Sequence, residues 1–278
     1  MILQDIYVAA LALLTLFAIG LNLTAAQIRE ALTAHPVATA LATLINLIAL
    51  PLIVVVAQNL VPMPEPVFAG LLLCAASPGG GTGSLLTHLA QGDVPFSVGL
   101  LVLLTALSLL VTPLWMVSFA PPVSDLSPLA ATWPMVRTLL VFIILPLAAG
   151  MALRRSRPAL ALRWHGPAAR ASTVLLVLLV LGYAAVKGKY VLALGYVMPT
   201  VAALLVLLSL ASALVVARGR AGLRRAFGLT TAVRSVTMAI LLASMLYSDD
   251  RTMLAVLLFG LIMYLVTLPV AYLVRRRA

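Results

Sequence analysis

Runs of about twenty apolar residues recur along this chain with only short polar joints between them, and about twenty is the length a helix needs to cross a bilayer. Nine such runs fall near 5–24, 37–58, 67–90, 95–118, 133–153, 171–186, 191–216, 226–246 and 252–274. They are too long and too unbroken for barrel strands. With 64% hydrophobic and 9% charged residues, too few polar side chains remain to coat a soluble domain of this size. The sequence therefore predicts an all-α polytopic membrane protein. Asp5 is the only charge before Arg29, so the first run lacks the basic start of a signal peptide and reads as a retained transmembrane helix. The single cysteine, Cys74, lies inside an apolar run, so there is no disulfide framework and its role is packing.

A net charge of +11 raises nucleic acid as a partner, but the placement of the charges excludes it. Arg154, Arg155, Arg157, Arg163 and Arg170 crowd one joint, Arg218, Arg220, Arg224 and Arg225 another, and Arg275, Arg276 and Arg277 the tail. With nine spans, these and Arg29 put thirteen cations on one side, against Lys187, Lys189 and Arg251 on the other. Cytoplasmic joints of membrane proteins carry such an excess, so the N-terminus is expected outside and the C-terminus in the cytoplasm of the cell (inner) membrane. All seven acidic residues (Asp5, Glu30, Glu65, Asp93, Asp125, Asp249 and Asp250) fall at span ends or in joints, leaving no carboxylate near the membrane centre.

The third span is interrupted by Pro78, Gly79, Gly80 and Gly81. From Val67 to Ser77 is eleven residues, roughly 16 Å of helix, about half of the hydrocarbon thickness. Pro78 removes a donor and the glycines free the backbone to turn. Unwound backbone survives at membrane depth only when enclosed by protein or lining a polar cavity, where its free groups can hold ions or substrate. A weaker interruption, Gly228 to Thr237, places hydroxyls and Arg234 at the matching point of the eighth span. Interrupted segments in corresponding positions point to an inverted-repeat secondary transporter, with one repeat over 1–118 and the other over 119–278. The competing reading is a passive bundle whose small residues serve helix packing.

Residues around the first interruption resemble the bile acid:sodium symporter family. They are Pro78-Gly79-Gly80, Thr87, Leu89-Ala90, Gly92-Asp93 and Ser97, with Gly70-Leu71-Leu72-Leu73 before them and Gly20-Leu21 and His35-Pro36 nearer the N-terminus. The resemblance implies two inverted repeats, a core domain with two broken, crossing helices, and a panel domain. It also implies a nine-span variant that lacks the family's first helix. Where the family places sodium ligands, this chain holds Gly83 and Ser84 for a Ser-Asn pair, Leu101 for a hydroxyl, Thr230 for a Glu and Arg234 for a Gln, followed by Ser235. An amide position falls at Asn46 and stays polar. Sodium wants several oxygen ligands and nearby negative charge. A guanidinium about 4 Å from a sodium ion repels it by about 4 kcal/mol at an effective dielectric of 20, so sodium binding as in the family is not expected.

Arg234 has three roles open to it. It can stand in for the ion by donating to unwound carbonyls of the first broken helix, anchor an anionic substrate, or snorkel toward the face where Arg224 and Arg225 lie. His88 stands one turn after Ser84, so the two share a helix face. It can couple protons, act with Ser84 as an intramembrane hydrolase, or sit neutral in a hydrogen bond. No buried carboxylate orients it, which argues against the hydrolase. Thr82, Thr87, Thr230, Thr231, Ser235 and Thr237 are expected to line the cavity, and Pro51, Pro113, Pro146, Pro199 and Pro269 to mark kinks or helix ends. The expectation is a sodium-independent secondary transporter of a small organic anion, working by alternating access, with no enzyme activity, cofactor or metal. A transport-dead sensor or scaffold of the same fold, and a proton-coupled carrier using His88, are the alternatives.

Overall fold

The computed structural model describes residues 2–120, 128–187 and 194–275, and among them holds helices and no strand. Asp125, Lys189, Arg276 and Arg277 lie outside the described residues. The apolar runs become α1 (Ile2–Gly20), α2 (Ala25–Ala34), α3 (Pro36–Leu44), α4 (Leu50–Leu60), α5 (Glu65–Ala76), α6 (Thr82–Leu89) and α7 (Val94–Phe119). They continue as α8 (Pro128–Leu139), α9 (Leu145–Ser156), α10 (Pro158–Lys187), α11 (Val197–Val216), α12 (Ala221–Ala232), α13 (Val236–Leu246) and α14 (Asp250–Arg275). Among the described residues, seven helical stretches are long and apolar enough to cross a membrane, counting α3 with α4, α8 with α9 and α12 with α13 as single stretches, and Ile6–Gly20 and Glu65–Ala76 are shorter apolar helices. The protein is an all-α polytopic membrane protein.

Two joints differ from the sequence expectation. Arg29 lies on a separate short helix, α2, which packs on α7, and not in a bare loop. The basic stretch after the fifth run is helical almost throughout, because α10 begins at Pro158 and carries Arg163 and Arg170. Both arginines are exposed. Long cationic side chains let a helix continue past the point where its apolar run ends.

A π turn over Ile45–Ala49 joins α3 to α4, and another over Leu140–Ile144 joins α8 to α9. A Leu-Pro pair follows each, Leu50-Pro51 and Leu145-Pro146. Proline cannot donate to the carbonyl four residues back. At Pro51 that carbonyl belongs to Leu47, and the indole Nε1 of Trp115 donates to it at 2.7 Å. An outside donor thus satisfies a group the helix cannot.

The broken helices form the centre. Along Ala221–Leu246, 78% of the most apolar window is buried, against 17% along Pro158–Tyr183, so the interrupted span is enclosed by protein and α10 borders the lipid. That enclosure is what unwound backbone requires. Around the break α12 packs on α6, α7 and α11, and α13 on α1, α5 and α14. On the flank, α1, α9 and α10 pack against one another.

Candidate functional site

Two strands of unwound chain meet at the middle of the bundle. The first covers Ser77–Gly81, between α5 and α6, and the second Val233–Ser235, between α12 and α13. Gly79 has φ +86°, a conformation only glycine adopts without strain. A Cβ on Gly80 would stand 2.4 Å from the Arg234 carbonyl oxygen, so only glycine allows the two chains to approach this closely. The Ser235 amide donates to the Ser77 carbonyl at 2.8 Å, and the Gly80 amide to the Val233 carbonyl at 3.4 Å. Backbone groups freed from one helix are satisfied by those freed from the other. The Thr112 hydroxyl takes the last carbonyl of α5, on Ala76.

A cavity of about 530 Å³ opens beside this crossing, between the breaks and α6 on one side and α1 and α10 on the other. Its base is Gly79, Gly80, Gly81, Arg234 and Ser235, and its walls run out to Asn22, His88 and His165 near the helix ends. The lining is mostly apolar with a few polar groups, and the volume lies in the range of small-molecule sites.

Arg234 is 3% exposed and lines the base. Its Nη1 donates to Asn46 Oδ1 at 2.8 Å, while its Nη2 is buried with no hydrogen-bond partner in the structure. The guanidinium does not snorkel toward Arg224 and Arg225, and its hydrogen-bonded acceptor is a side-chain amide and not the unwound carbonyls, of which those of Ser77 and Gly80 accept from the backbone amides of Ser235 and Gly83. Asn46 sits in the π turn and orders the pair. Its Nδ2 donates to the Ala42 carbonyl at 2.8 Å and to Thr231 Oγ1 at 3.2 Å, which leaves Oδ1 to face the cation.

A sequence model of the sodium bile acid symporter family matches residues 9–194, about two thirds of the chain. The chain belongs to that family. Membership makes it a symporter-like membrane transporter. No curated protein matches it. The matched stretch contains the first break and ends before the second, so Arg234 lies beyond it.

Where the family resemblance implies sodium ligands, hydroxyls and packed backbone stand instead. Thr230 and Ser97 share a hydrogen bond of 2.6 Å, and Thr87 donates to Ser97 at 3.2 Å and to the Gly83 carbonyl at 2.8 Å. A Cβ on Gly83 would lie 3.3 Å from Thr230 Cα, so α6 and α12 are in backbone contact at that point. Leu101 is buried and its carbonyl accepts from the Thr105 hydroxyl.

Of the residues expected at the site, Thr82, Ser84, His88, Arg234, Ser235 and Thr237 do line the cavity. Thr87, Thr230 and Thr231, also expected to line it, are instead buried behind the wall, Thr87 and Thr230 paired with Ser97 and Thr231 with Asn46. Thr82 shares a hydrogen bond of 2.9 Å with the Tyr264 hydroxyl. Ser84 donates to the Gly81 carbonyl at 3.0 Å. His88 is exposed on the cavity wall.

The opposite wall lies outside the sequence expectation. His165 lies within a helix, α10, and lines the cavity as His88 does. Thr15, Asn22, Ser172 and Thr173 join it there. The available signal was the small and hydroxyl-bearing stretch Ala168–Thr173 directly after His165, continuous with the apolar run.

Proposed function

We propose that this member of the family carries a small organic anion by alternating access without coupling to sodium. The observation that supports it is the buried Arg234–Asn46 pair at the base of the cavity, where the resemblance places an ion. A cation built into the chain supplies charge that a sodium ion would otherwise bring. The hydroxyl cluster of Thr87, Ser97 and Thr230 has neither the charge nor the free oxygens for a hard cation. Binding measured in sodium and in choline media is expected to be equal, and a sodium-dependent affinity would defeat the proposal.

The unpartnered Nη2 favours a second role for the same residue. A buried guanidinium nitrogen without an acceptor costs free energy, and the carboxylate or sulfonate of a substrate at the cavity base would satisfy it. Both roles need Arg234, and they differ in when it is satisfied.

Nine spans in two inverted repeats, 1–118 and 119–278, are the architecture that fits this function. The two breaks support it, and so do α7 and α14. Each of those helices has 26 residues, with Pro113 nineteen residues after Val94 and Pro269 nineteen after Asp250. The N-terminus is then outside and the C-terminus cytoplasmic, and the cavity, reaching Asn22, His88 and His165, opens to the cytoplasm. A reporter fused after Ala278 is expected to read cytoplasmic and one before Met1 external. Transport into proteoliposomes separates a carrier from a non-transporting sensor of the same fold.

A further inference from the structure

His165 stands half-buried on α10 in the wall facing the breaks, with its Nδ1 3.0 Å from the carbonyl oxygen of Ala18. The last carbonyls of a helix lack intrahelical partners, and the Asn22 amide, which might have reached Ala18, donates to Ile19 instead. A carbonyl only accepts, so Nδ1 carries a hydrogen. In the neutral ring Nε2 is then an acceptor, and protonation turns it into a donor. The hydrogen bond to α1 thus fixes the tautomer and makes Nε2 the atom whose character depends on a proton.

We infer that His165 contacts the transported anion and that each anion bound in the cavity takes up one proton from solvent at Nε2, so that the carrier is a proton–anion symporter. The inference rests on the proposed organic-anion function. A neutral His165 presents a lone pair, which an anion cannot approach favourably. A protonated one presents a charge-assisted donor. Binding of the proton and of the anion therefore favour each other, as linkage requires. Among the described residues, the lining contains no carboxylate that would hold the imidazolium in place of the anion.

Other ionisable groups near this wall leave the role to His165. On α10 itself Arg163 and Arg170 are exposed, and Arg170 turns back to the Gly166 carbonyl. On α9 there are Arg154 and Arg155, and on α1 Asp5 and Tyr7, each three turns or more from Ala18, with the Tyr7 hydroxyl donating to the Leu175 carbonyl. Across the cavity stand His88 on α6, Tyr264 on α14 and Arg234 in the break. A guanidinium offers donors only, whereas an imidazole offers a ring nitrogen that accepts when neutral and donates when protonated. His165 is the one whose structure shows a fixed tautomer. Charge conservation adds a consequence. The anion and its proton cancel, so the loaded cavity carries the same fixed charge as the empty one and the cycle moves no net charge.

The test uses two sulfonates, taurocholate and hexanesulfonate, because a sulfonate stays ionised across the pH range. Binding to the purified full-length protein is measured at pH 5.5 and 7.5, and proton uptake is followed in weakly buffered solution. The expected result is binding about tenfold or more tighter at pH 5.5, with close to one proton taken up per anion. In His165→Gln, whose amide can keep the bond to Ala18, affinity is expected to be independent of pH and uptake to vanish. Sulfonate binding that ignores pH, or a pH dependence that survives in His165→Gln, overturns the inference and leaves the anion carrier standing. No binding of either sulfonate at either pH overturns both.

Discussion

The two breaks do the same job by different means. Ser77–Gly81 is written into its own sequence, with a proline, three glycines and one left-handed φ. Val233–Ser235 contains neither glycine nor proline, and nothing local obliges it to unwind. Its neighbours hold it open. Ser235 donates to Ser77, the Arg234 amide points to Met263 Sδ at 3.1 Å, and the Arg234 side chain is drawn to Asn46. One break is a property of a segment, and the other is a property of the fold. Helix propensity is a weak prior that tertiary contacts override, and the second break is a case of that.

Arg234→Ala is the severest test of the imposed break. It removes a charge-assisted bond worth about 1.5–3 kcal/mol and leaves Asn46 Oδ1 facing nothing. Anion binding is expected to fall by about tenfold to a hundredfold, with partial recovery in Arg234→Lys, which lacks the planar fork. Normal transport in the alanine variant would show that the second break needs no cation. Replacing Gly79, Gly80 and Gly81 together with Ala attacks the encoded break. Each change favours helix by roughly 0.8–1 kcal/mol, so transport is expected to drop sharply while the protein still inserts.

Single substitutions sharpen the comparison further. Gly80→Ala drives a Cβ against the Arg234 carbonyl, which is rigid backbone, and is expected to cost about 1–3 kcal/mol in thermal unfolding and to disturb both breaks. Gly81→Ala meets only the Ile19 side chain, Cδ1 at 2.5 Å and Cγ1 at 3.0 Å, which can turn aside, so its effect is expected to be smaller. Equal losses in the two variants would mean that the crossing distance does not matter. Smallest of all is Thr230→Val. Loss of its 2.6 Å bond to Ser97 is expected to lower stability by about 1 kcal/mol and to leave the response to sodium unchanged. A change in that response would point to an ion site at this cluster.

The encoded features are the ones the sequence discloses. Apolar runs locate the spans, and Pro78 with its glycines locates the first break. Arg234 stands out in any reading because a guanidinium in an apolar span demands a reason. Its partner does not. Asn46 lies 188 residues away in sequence, and only the resemblance drew notice to it. The π turns are equally hidden, because the one at Ile45–Ala49 is completed by an indole from α7. His165 was missed for a different reason. Counting apolar residues ends the sixth span at Ala171, while the helix runs on to Pro158 beneath exposed arginines that no hydropathy pattern would include.

The backbone clasp between the breaks has a bearing on how such a site changes over generations. Ser235 to Ser77 and Gly80 to Val233 are bonds of main chain to main chain, blind to the side chains those residues carry. A lineage can therefore exchange carboxylate for hydroxyl, or amide for guanidinium, at the crossing while the scaffold that presents them persists. Under the proposed function the coupling ion becomes a replaceable part, which selection can retune at Thr230, Arg234 or His165 one substitution at a time, provided Gly80 stays small enough for the two chains to touch.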